Sequence, residues 1–280
     1  MIAFISTPYL YLAREFIMET SMIDRFKELY SFRHMFFGLV KKDFKGRYRN
    51  SVFGYLWHLI TPLSMIIVFV IVFSAILGKN IESYWIYLSV GLFPWTFFSS
   101  SLNLSTDCIV RNSHMVNKMY FPREILIMSS VTTNLISLII SYSMLIVAIV
   151  ISGHGINAIA LLIVPIVLIL EVVFVTGLGL IMSALNVYYR DISHGVGILT
   201  FLWMWVTPIM YTMDSTDSLL GFVNHINPMT YFIEIFHDIM YFGTYPEMQY
   251  LIICTVLAVI AVFVGMIMFK KLEHGFSERL

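Results

Sequence analysis

The sequence predicts an all-α membrane protein: six transmembrane helices, an N-terminal amphipathic helix at the membrane interface, and re-entrant outer helices before the sixth span. Three observations predict it. Hydrophobic residues make up 59% of the chain and charged residues 12%, where a soluble domain carries about 25% charged residues. Apolar runs close to the ~20 residues needed to cross a hydrocarbon core recur along the chain. The cations are concentrated in alternate connecting segments, which orients the whole. The net charge is zero, so the sum names no partner, and nucleic acid is not expected.

Residues 1–30 read as an N-terminal cytoplasmic arm, either a short surface helix or a partly ordered strip. Arg14, Glu15, Glu19, Asp24 and Glu28 interrupt it. It has no sustained apolar core and no small-residue cleavage site, so it reads as retained rather than as a signal peptide. Residues 31–55 read as the interfacial helix. Phe36, Phe37, Val40, Phe44 and Tyr48 recur at helical spacing, and Lys41, Lys42, Lys45 and Arg49 fall mostly opposite. Such a helix lays its apolar face in the acyl boundary and its cations among anionic headgroups.

Residues 56–280 read as the transmembrane domain. The first span, 57–77, has no ionised side chain apart from the possible charge on His58. A polar break, GKNIES, leads to the second span, 84–108, which contains Pro94, Trp95 and a wet stretch at Ser99–Ser101. A polar loop from Arg111 to Glu124 precedes the third span, 125–151. The turn SGHGIN separates it from the fourth, 158–185. The segment NVYYRDISHG follows, then a fifth span at 196–211 and a sixth at 248–269.

Sixteen of the 17 Lys and Arg lie in residues 1–55, 109–124 and 186–195 and in the C-terminal tail; only Lys79 falls on the other side. The positive-inside rule therefore makes both termini cytoplasmic. Residues 213–246 contain no Lys or Arg. Their second half puts Phe232, Ile235, Phe236, Ile239 and Met240 on one stripe, with Glu234, His237, Asp238 and Tyr241 largely outside it. An amphipathic or re-entrant helix pair at the outer leaflet fits, because irregular backbone at membrane depth survives where protein or a wet cavity covers it.

Catalytic signatures are missing. No GxxxxGK[ST], HExxH, CxxC or GxSxG occurs, so no catalytic residue and no metal site is expected, and the chain should not bind and hydrolyse ATP by the P-loop route. The eight histidines are scattered, and Cys108 and Cys254 fall in or beside apolar segments. Glu171 is the one clear ionisable group deep in a span, either functional or a helix contact. Two helical faces mix aromatics with hydroxyls: Thr200, Trp203, Thr207 and Tyr211 in the fifth span, and Trp57, Thr61 and Ser64 in the first. Sugar rings stack on aromatic faces while hydroxyls exchange hydrogen bonds; helix packing plus the interfacial aromatic belt is the plainer explanation.

Several blocks in order carry a resemblance: KKDFKGRYRNSVFGYLW (41–57), GLFPWTFF (91–98), NKMYFPRE (117–124), GLGLIMSALNVYYRDISH (177–194), WVTPIMY (205–211), NPMTYFIEIFHDI (227–239) and the tail FKKLEHGFSE. Over about residues 31–280 the chain resembles the ABC-2 type permeases that export lipid-linked polysaccharides: O-antigen, capsule and teichoic acid exporters. The resemblance implies a homodimer in the bacterial cytoplasmic membrane, working with two copies of a separate ABC ATPase subunit that binds the nucleotide. It places an ATPase-coupling element at Arg111, Lys118, Tyr120, Phe121, Pro122 and Arg123, and a substrate channel along the first and fifth spans. The block IFHDI departs from relatives that often carry Arg where this chain has His237. The alternatives are a small-lipid or drug exporter of the same superfamily, and a multispan glycosyl- or acyltransferase, which would want clustered Asp, Glu or His at one membrane face.

Overall fold

A computed structural model describes residues 22–47, 57–75, 83–212 and 219–280, and all of their regular structure is helical. Tyr48, Arg49, Lys79 and the start of the 213–246 segment lie outside the described residues. Two helices open the chain: α1 (Met22–Ser31), within the arm, and α2 (Arg33–Arg47). The bundle follows as α3 (Trp57–Ala75), α4 (Tyr84–Arg111), α5 (Ser113–Lys118), α6 (Glu124–Ile151), α7 (Ala158–Leu161), α8 (Val164–Tyr188) and α9 (Ile192–Val206). It ends with α10 (Leu219–Ile226), α11 (Pro228–Met240), α12 (Met248–Glu273) and α13 (Phe276–Arg279). Among the described residues, three helical stretches are long and apolar enough to cross a membrane: Glu124–Ile151, Ala158–Tyr188 and Met248–Glu273. Apolar stretches at Leu63–Val72 and Ile192–Val206 are shorter.

The axis of the bundle is α4. It is the most polar of the long helices, yet it is buried along nearly its whole length, from Tyr84 to Ile109. Two of its threonine hydroxyls stay in the helix: Thr96 donates to the Phe93 carbonyl (2.8 Å) and Thr106 to that of Leu102 (2.7 Å), as Ser and Thr do where no water is available. Pro94 has no N–H to offer the Val90 carbonyl, and the Tyr142 hydroxyl of α6 takes that carbonyl instead at 3.2 Å. A low-hydropathy helix is therefore buried at the centre of the bundle, where other helices cover its polar groups.

Around α4 lie α6, α8, α9 and α11, and α12 packs on the far side of α8. The α8–α12 crossing brings backbones together. A Cβ on Gly177 would stand 2.3 Å from the Ala261 carbonyl carbon, and one on Gly265 would stand 2.5 Å from the Gly177 oxygen. Close approach through small residues is the usual way helices associate where lipid is as apolar as the side chains. On its other side Gly179 makes room for Ser105 of α4, whose Cβ lies 2.8 Å from where a side chain would begin. The buried residues of α12 (Cys254, Ala258, Ala261, Gly265 and Phe269) fall on a single stripe, and Val256, Ile260, Phe263 and Ile267 look outward.

The bundle has two ends of different character. At one, α1 and α2 meet the end of α4 and the start of α6, and the end of α8, the end of α12 and the tail are joined there by Arg123 and Tyr188. Arg111, Lys118, Arg123, Arg190, Lys270, Lys271 and Arg279 lie in the helix ends and connections gathered there. At the other, α7, α10 and α11 close over the start of α4 and the end of α9. The interfacial helix docks on α6 through Phe32, Met35, Phe36, Leu39 and Val40, while Phe37 is 64% exposed.

Three boundaries differ from the sequence reading. The fifth helix begins at Ile192 and stops at Val206, because Pro208 forces Thr207 into an extended conformation (φ −88°, ψ 138°). Tyr211 is therefore off the helix, not on a shared face with Trp203. The polar segment 186–195 is mostly helix, with α8 running to Tyr188 and α9 starting at Ile192 after three intervening residues. His237, placed by its spacing outside the buried stripe of α11, is fully buried.

Candidate functional site

The segment from Arg111 to Glu124 divides into an outward and an inward half. Asn112 caps the end of α4 by donating its side-chain amide to the Cys108 carbonyl (2.7 Å) and receives Lys42 from α2 (3.4 Å). The short helix α5 buries only Val116 and leaves His114, Asn117 and Lys118 exposed. Beyond it Met119 is 59% and Tyr120 82% exposed. The Tyr120 hydroxyl donates to a Glu28 carboxylate oxygen of α1 (3.1 Å), which joins the opening helix to this surface. Arg111 is exposed as well. Phe121 and Pro122 are buried, and Arg123 turns to the end of α12, where it donates to the Glu273 carbonyl at 2.7 Å. A partner approaching this face meets Arg111, Lys118, Met119 and Tyr120. Phe121, Pro122 and Arg123 face the bundle, because an apolar ring and a proline next to helix ends are more stable covered than wet.

The aromatic and hydroxyl residues of the fifth span face inward rather than into an open groove. Asn227, which starts α11, sits at their centre. Its side-chain oxygen accepts the Trp203 indole N–H at 2.7 Å and the Met229 backbone N–H at 3.0 Å. Its amide donates to the Thr207 hydroxyl at 2.9 Å. Asn before Pro is a helix-start arrangement: the side chain caps, and the proline has no N–H to lose. Tyr211 donates to the Val206 carbonyl (2.8 Å) and approaches Asn224 of α10 (3.2 Å). Two α4 tyrosines hold the turn from below, Tyr84 on the Met210 carbonyl (3.0 Å) and Tyr87 on that of Tyr211 (2.9 Å). Thr200, one helical step away, is buried and receives the Asn103 amide (3.1 Å). Asn186 continues that line, donating to Thr106 and Asp107 of α4 (3.1 and 3.2 Å).

Trp57, Thr61 and Ser64 of α3 are exposed. Among the described side chains of this helix only Ile66 is buried, and Leu63, Ile67, Val68 and Ile71 look outward with the three polar-face residues. The Phe69 and Trp205 rings meet edge to face at 6.4 Å, which brings α3 beside α9. There α9 presents Ile198, Leu199, Phe201, Leu202 and Trp205.

The opposite end holds an arrangement the sequence did not disclose. The His237 ring stacks on Tyr87 at 3.9 Å and 16°, and its Nε2 lies 3.1 Å from the Tyr87 carbonyl oxygen. Burial lowers its pKa to about 3, so it is a neutral imidazole that donates from Nε2. Gly91 makes this possible, since a Cβ there would stand 2.9 Å from that nitrogen. A histidine thus fills a slot cut by a glycine in the 91–98 block, and no periodicity argument pairs them.

Glu171 is fully buried in α8, within electrostatic range of Tyr142 of α6 and Cys254 of α12. Neither of its carboxyl oxygens has a hydrogen-bond partner among the described residues. It belongs to the interior contact of three helices, not to an open surface. Among the described residues no three His, Cys, Asp or Glu side chains are placed to hold a metal ion.

A family model described as ABC-2 type transporter matches residues 34–241. The chain belongs to that family. Among its ABC-2 relatives is the O-antigen export system permease protein RfbA of Myxococcus xanthus, 28% identical over 261 residues, covering 92% of this chain and all of that protein. The same-named protein of Klebsiella pneumoniae is 30% identical over 242 residues, covering 86% and 93%. The polysialic acid transport protein KpsM of Escherichia coli is 21% identical over 240 residues, covering 85% and 93%. The ABC-2 match takes in both the Arg111–Glu124 surface and the Asn227 junction.

Proposed function

We propose that this chain is the membrane-spanning permease of an ATP-driven exporter that carries a lipid-linked polysaccharide, of the O-antigen class, across the bacterial cytoplasmic membrane. The observation that carries the proposal is the near end-to-end similarity to O-antigen export permeases, 30% over 242 residues and 93% of one relative. The relative named for polysialic acid transport widens the class beyond O-antigen, and a capsule or teichoic acid exporter is the alternative within the same family. No feature of the described residues favours a drug exporter, and none favours a membrane glycosyl- or acyltransferase.

In this reading α3, α4, α6, α8, α9 and α12 are six spans. The basic end, with both termini, faces the cytoplasm. The pair α10–α11 is re-entrant at the outer leaflet. Two copies meet through the exposed faces of α3 and α9, and between them runs the path for the glycan, lined by Trp57, Thr61 and Ser64. Trp203, Thr207 and Tyr211 bound the path from behind: with Asn227 they hold the outer mouth in shape. Weak stacking, about 1 kcal/mol per aromatic contact, suits a polymer that must keep moving. Two copies of an ABC ATPase, carrying ATP and Mg, dock on Arg111, Lys118, Met119 and Tyr120, and nucleotide-driven closure moves α4 and α6 from below.

The test is capture. A tagged chain, purified in detergent, should retain the ATPase encoded beside it. K118E combined with Y120A should weaken that capture at least tenfold without loss of folded permease. Undiminished capture would move the docking surface elsewhere.

A further inference from the structure

We infer that the C-terminal tail belongs to the coupling apparatus, with Arg123 as the positioning residue that ties it to the docking surface. The inference rests on the reading of Arg111, Lys118, Met119 and Tyr120 as the face that meets the ATPase. Its own ground is a knot of contacts at the basic end. Arg123 stands three residues after the most exposed tyrosine of that face. Its guanidinium donates to the Glu273 carbonyl (2.7 Å), lies 3.8 Å from a Glu273 carboxylate oxygen, and covers the Phe276 ring at 5.4 Å. The last carbonyls of a helix lack partners within it and carry its negative end, so a cation there is well placed.

The tail is not laid loosely on the bundle. Phe276 is fully buried, edge-on to Phe269 at 5.6 Å and to Tyr188 at 6.3 Å. Tyr188, the last residue of α8, donates to the Leu272 carbonyl at 2.9 Å, and Arg279 covers its ring at 5.8 Å. Gly275 gives the chain its passage, since a Cβ there would meet the Tyr188 hydroxyl at 2.2 Å. Three segments distant in sequence thus meet in one place: the stretch before α6, the end of α8, and the end of α12 with the tail that follows it.

The connection from the surface inward is short. Only five residues, 119–123, separate α5 from α6. Pro122 stiffens them, and Phe121 and Pro122 are anchored by burial. A displacement of Tyr120 therefore reaches Arg123 with little slack. From Arg123 it reaches the ends of α8 and α12, two helices held in close backbone contact at the Gly177–Gly265 crossing. Arg123 and Glu273 are largely covered, their side chains 20% and 21% exposed, and their charges stand 3.8 Å apart. What the planar guanidinium supplies, through a hydrogen bond, a charge contact and a ring contact at once, is direction. The blocks NKMYFPRE and FKKLEHGFSE, separate in the sequence, are two halves of this knot.

The experiment uses the full permease–ATPase complex. A nitroxide label at Asn117→Cys, an exposed position of α5 outside the docking residues, reports the position of the docking face with and without ATP, and surface polymer on whole cells reports export per permease molecule. R123A and F276A should each abolish the ATP-dependent change in the label's spectrum and lower export at least fivefold. R123K should recover part of both, and the R123A/F276A pair should be no worse than either alone. A full spectral response and full export in R123A and F276A would overturn the inference. Should those variants fail to accumulate, R123K and F276L decide: normal accumulation with a reduced spectral response supports it, and a normal response or failure to accumulate makes the knot a folding element and overturns it. The capture test separates the two readings. If K118E/Y120A still captures the ATPase, the docking face is wrong; if that capture is lost while R123A responds normally, only the role of the tail is wrong.

Discussion

Replacing Asn227 by Ala should unfold the end of the bundle that holds α10 and α11 before the rest. The wild-type side chain makes three contacts: it accepts from Trp203 Nε1, accepts from Met229 N, and donates to the Thr207 hydroxyl. Loss of the helix cap costs about 1 kcal/mol. Leaving the indole N–H of Trp203 without a partner, on a side chain that is half-buried, costs about 1–2 kcal/mol more. Thr207 keeps its own bond to the Trp203 carbonyl (2.9 Å), so its share is small. Hydrogen bonds inside membrane bundles average about 0.6 kcal/mol in double-mutant cycles, which pulls the total down. The expected loss is thus roughly 2 kcal/mol by these terms. Asn227→Asp keeps both acceptor roles and the cap, and should lose roughly half as much or less. The assay is reversible unfolding in mixed micelles followed by tryptophan fluorescence, which Trp203 itself reports. Equal losses in the Ala and Asp variants, or no loss in either, would refute the claim that this residue ties α9 to α11.

Three further outcomes follow from the same geometry. Gly177→Leu should destabilise the α8–α12 pair by about 3 kcal/mol or prevent folding, since overpacking a close crossing costs this much and the nearest atom is backbone at 2.3 Å; Gly195→Ala, with nothing near, serves as control and should be silent in the same unfolding assay. Burial, with the Glu247 carboxylate adding to it, pushes the Asp238 carboxyl up to about 6. The folded state then holds that proton more tightly than the unfolded chain, so its stabilisation is present below about pH 4 and is lost as pH rises through about 6; Asp238→Asn should show a higher melting midpoint than wild type at pH 7.5, the gap closing by pH 4. Glu171→Met should fold at least as well as wild type, because a buried carboxyl without a hydrogen-bond partner contributes nothing that an apolar side chain of similar size does not; a loss of export with intact folding would give Glu171 a functional role.

Composition and charge were enough to read the class of the protein. Apolar runs separated α6, α8 and α12 correctly, because a lipid-facing helix must be apolar over most of its surface. The blocks in their order pointed to the ABC-2 family that the family match now shows. The sequence was weaker wherever a helix is covered by protein instead of lipid. The buried pillar α4 reads as the least hydrophobic of the long helices, and α11 reads as amphipathic although His237 is buried on its supposedly polar side. The face through Trp203, Thr207 and Tyr211 was drawn on a helix that Pro208 ends. Pro208 was there to be read, and the bias of a residue before proline toward extended backbone was the missed signal. The partners of these residues were not readable at all. Asn227 is 24 positions from Trp203, and Glu273 is 150 from Arg123, and nothing in spacing links them.

The most direct test of the account is depletion of this permease in the bacterium that carries it, followed by separate measurement of surface polysaccharide and of lipid-linked polysaccharide inside the cytoplasmic membrane. The account predicts that surface polymer is lost while the lipid-linked form accumulates on the inner face, and that the wild-type chain reverses both. Surface polymer at its normal level after depletion, or loss of surface polymer with no lipid-linked form accumulating, would contradict it.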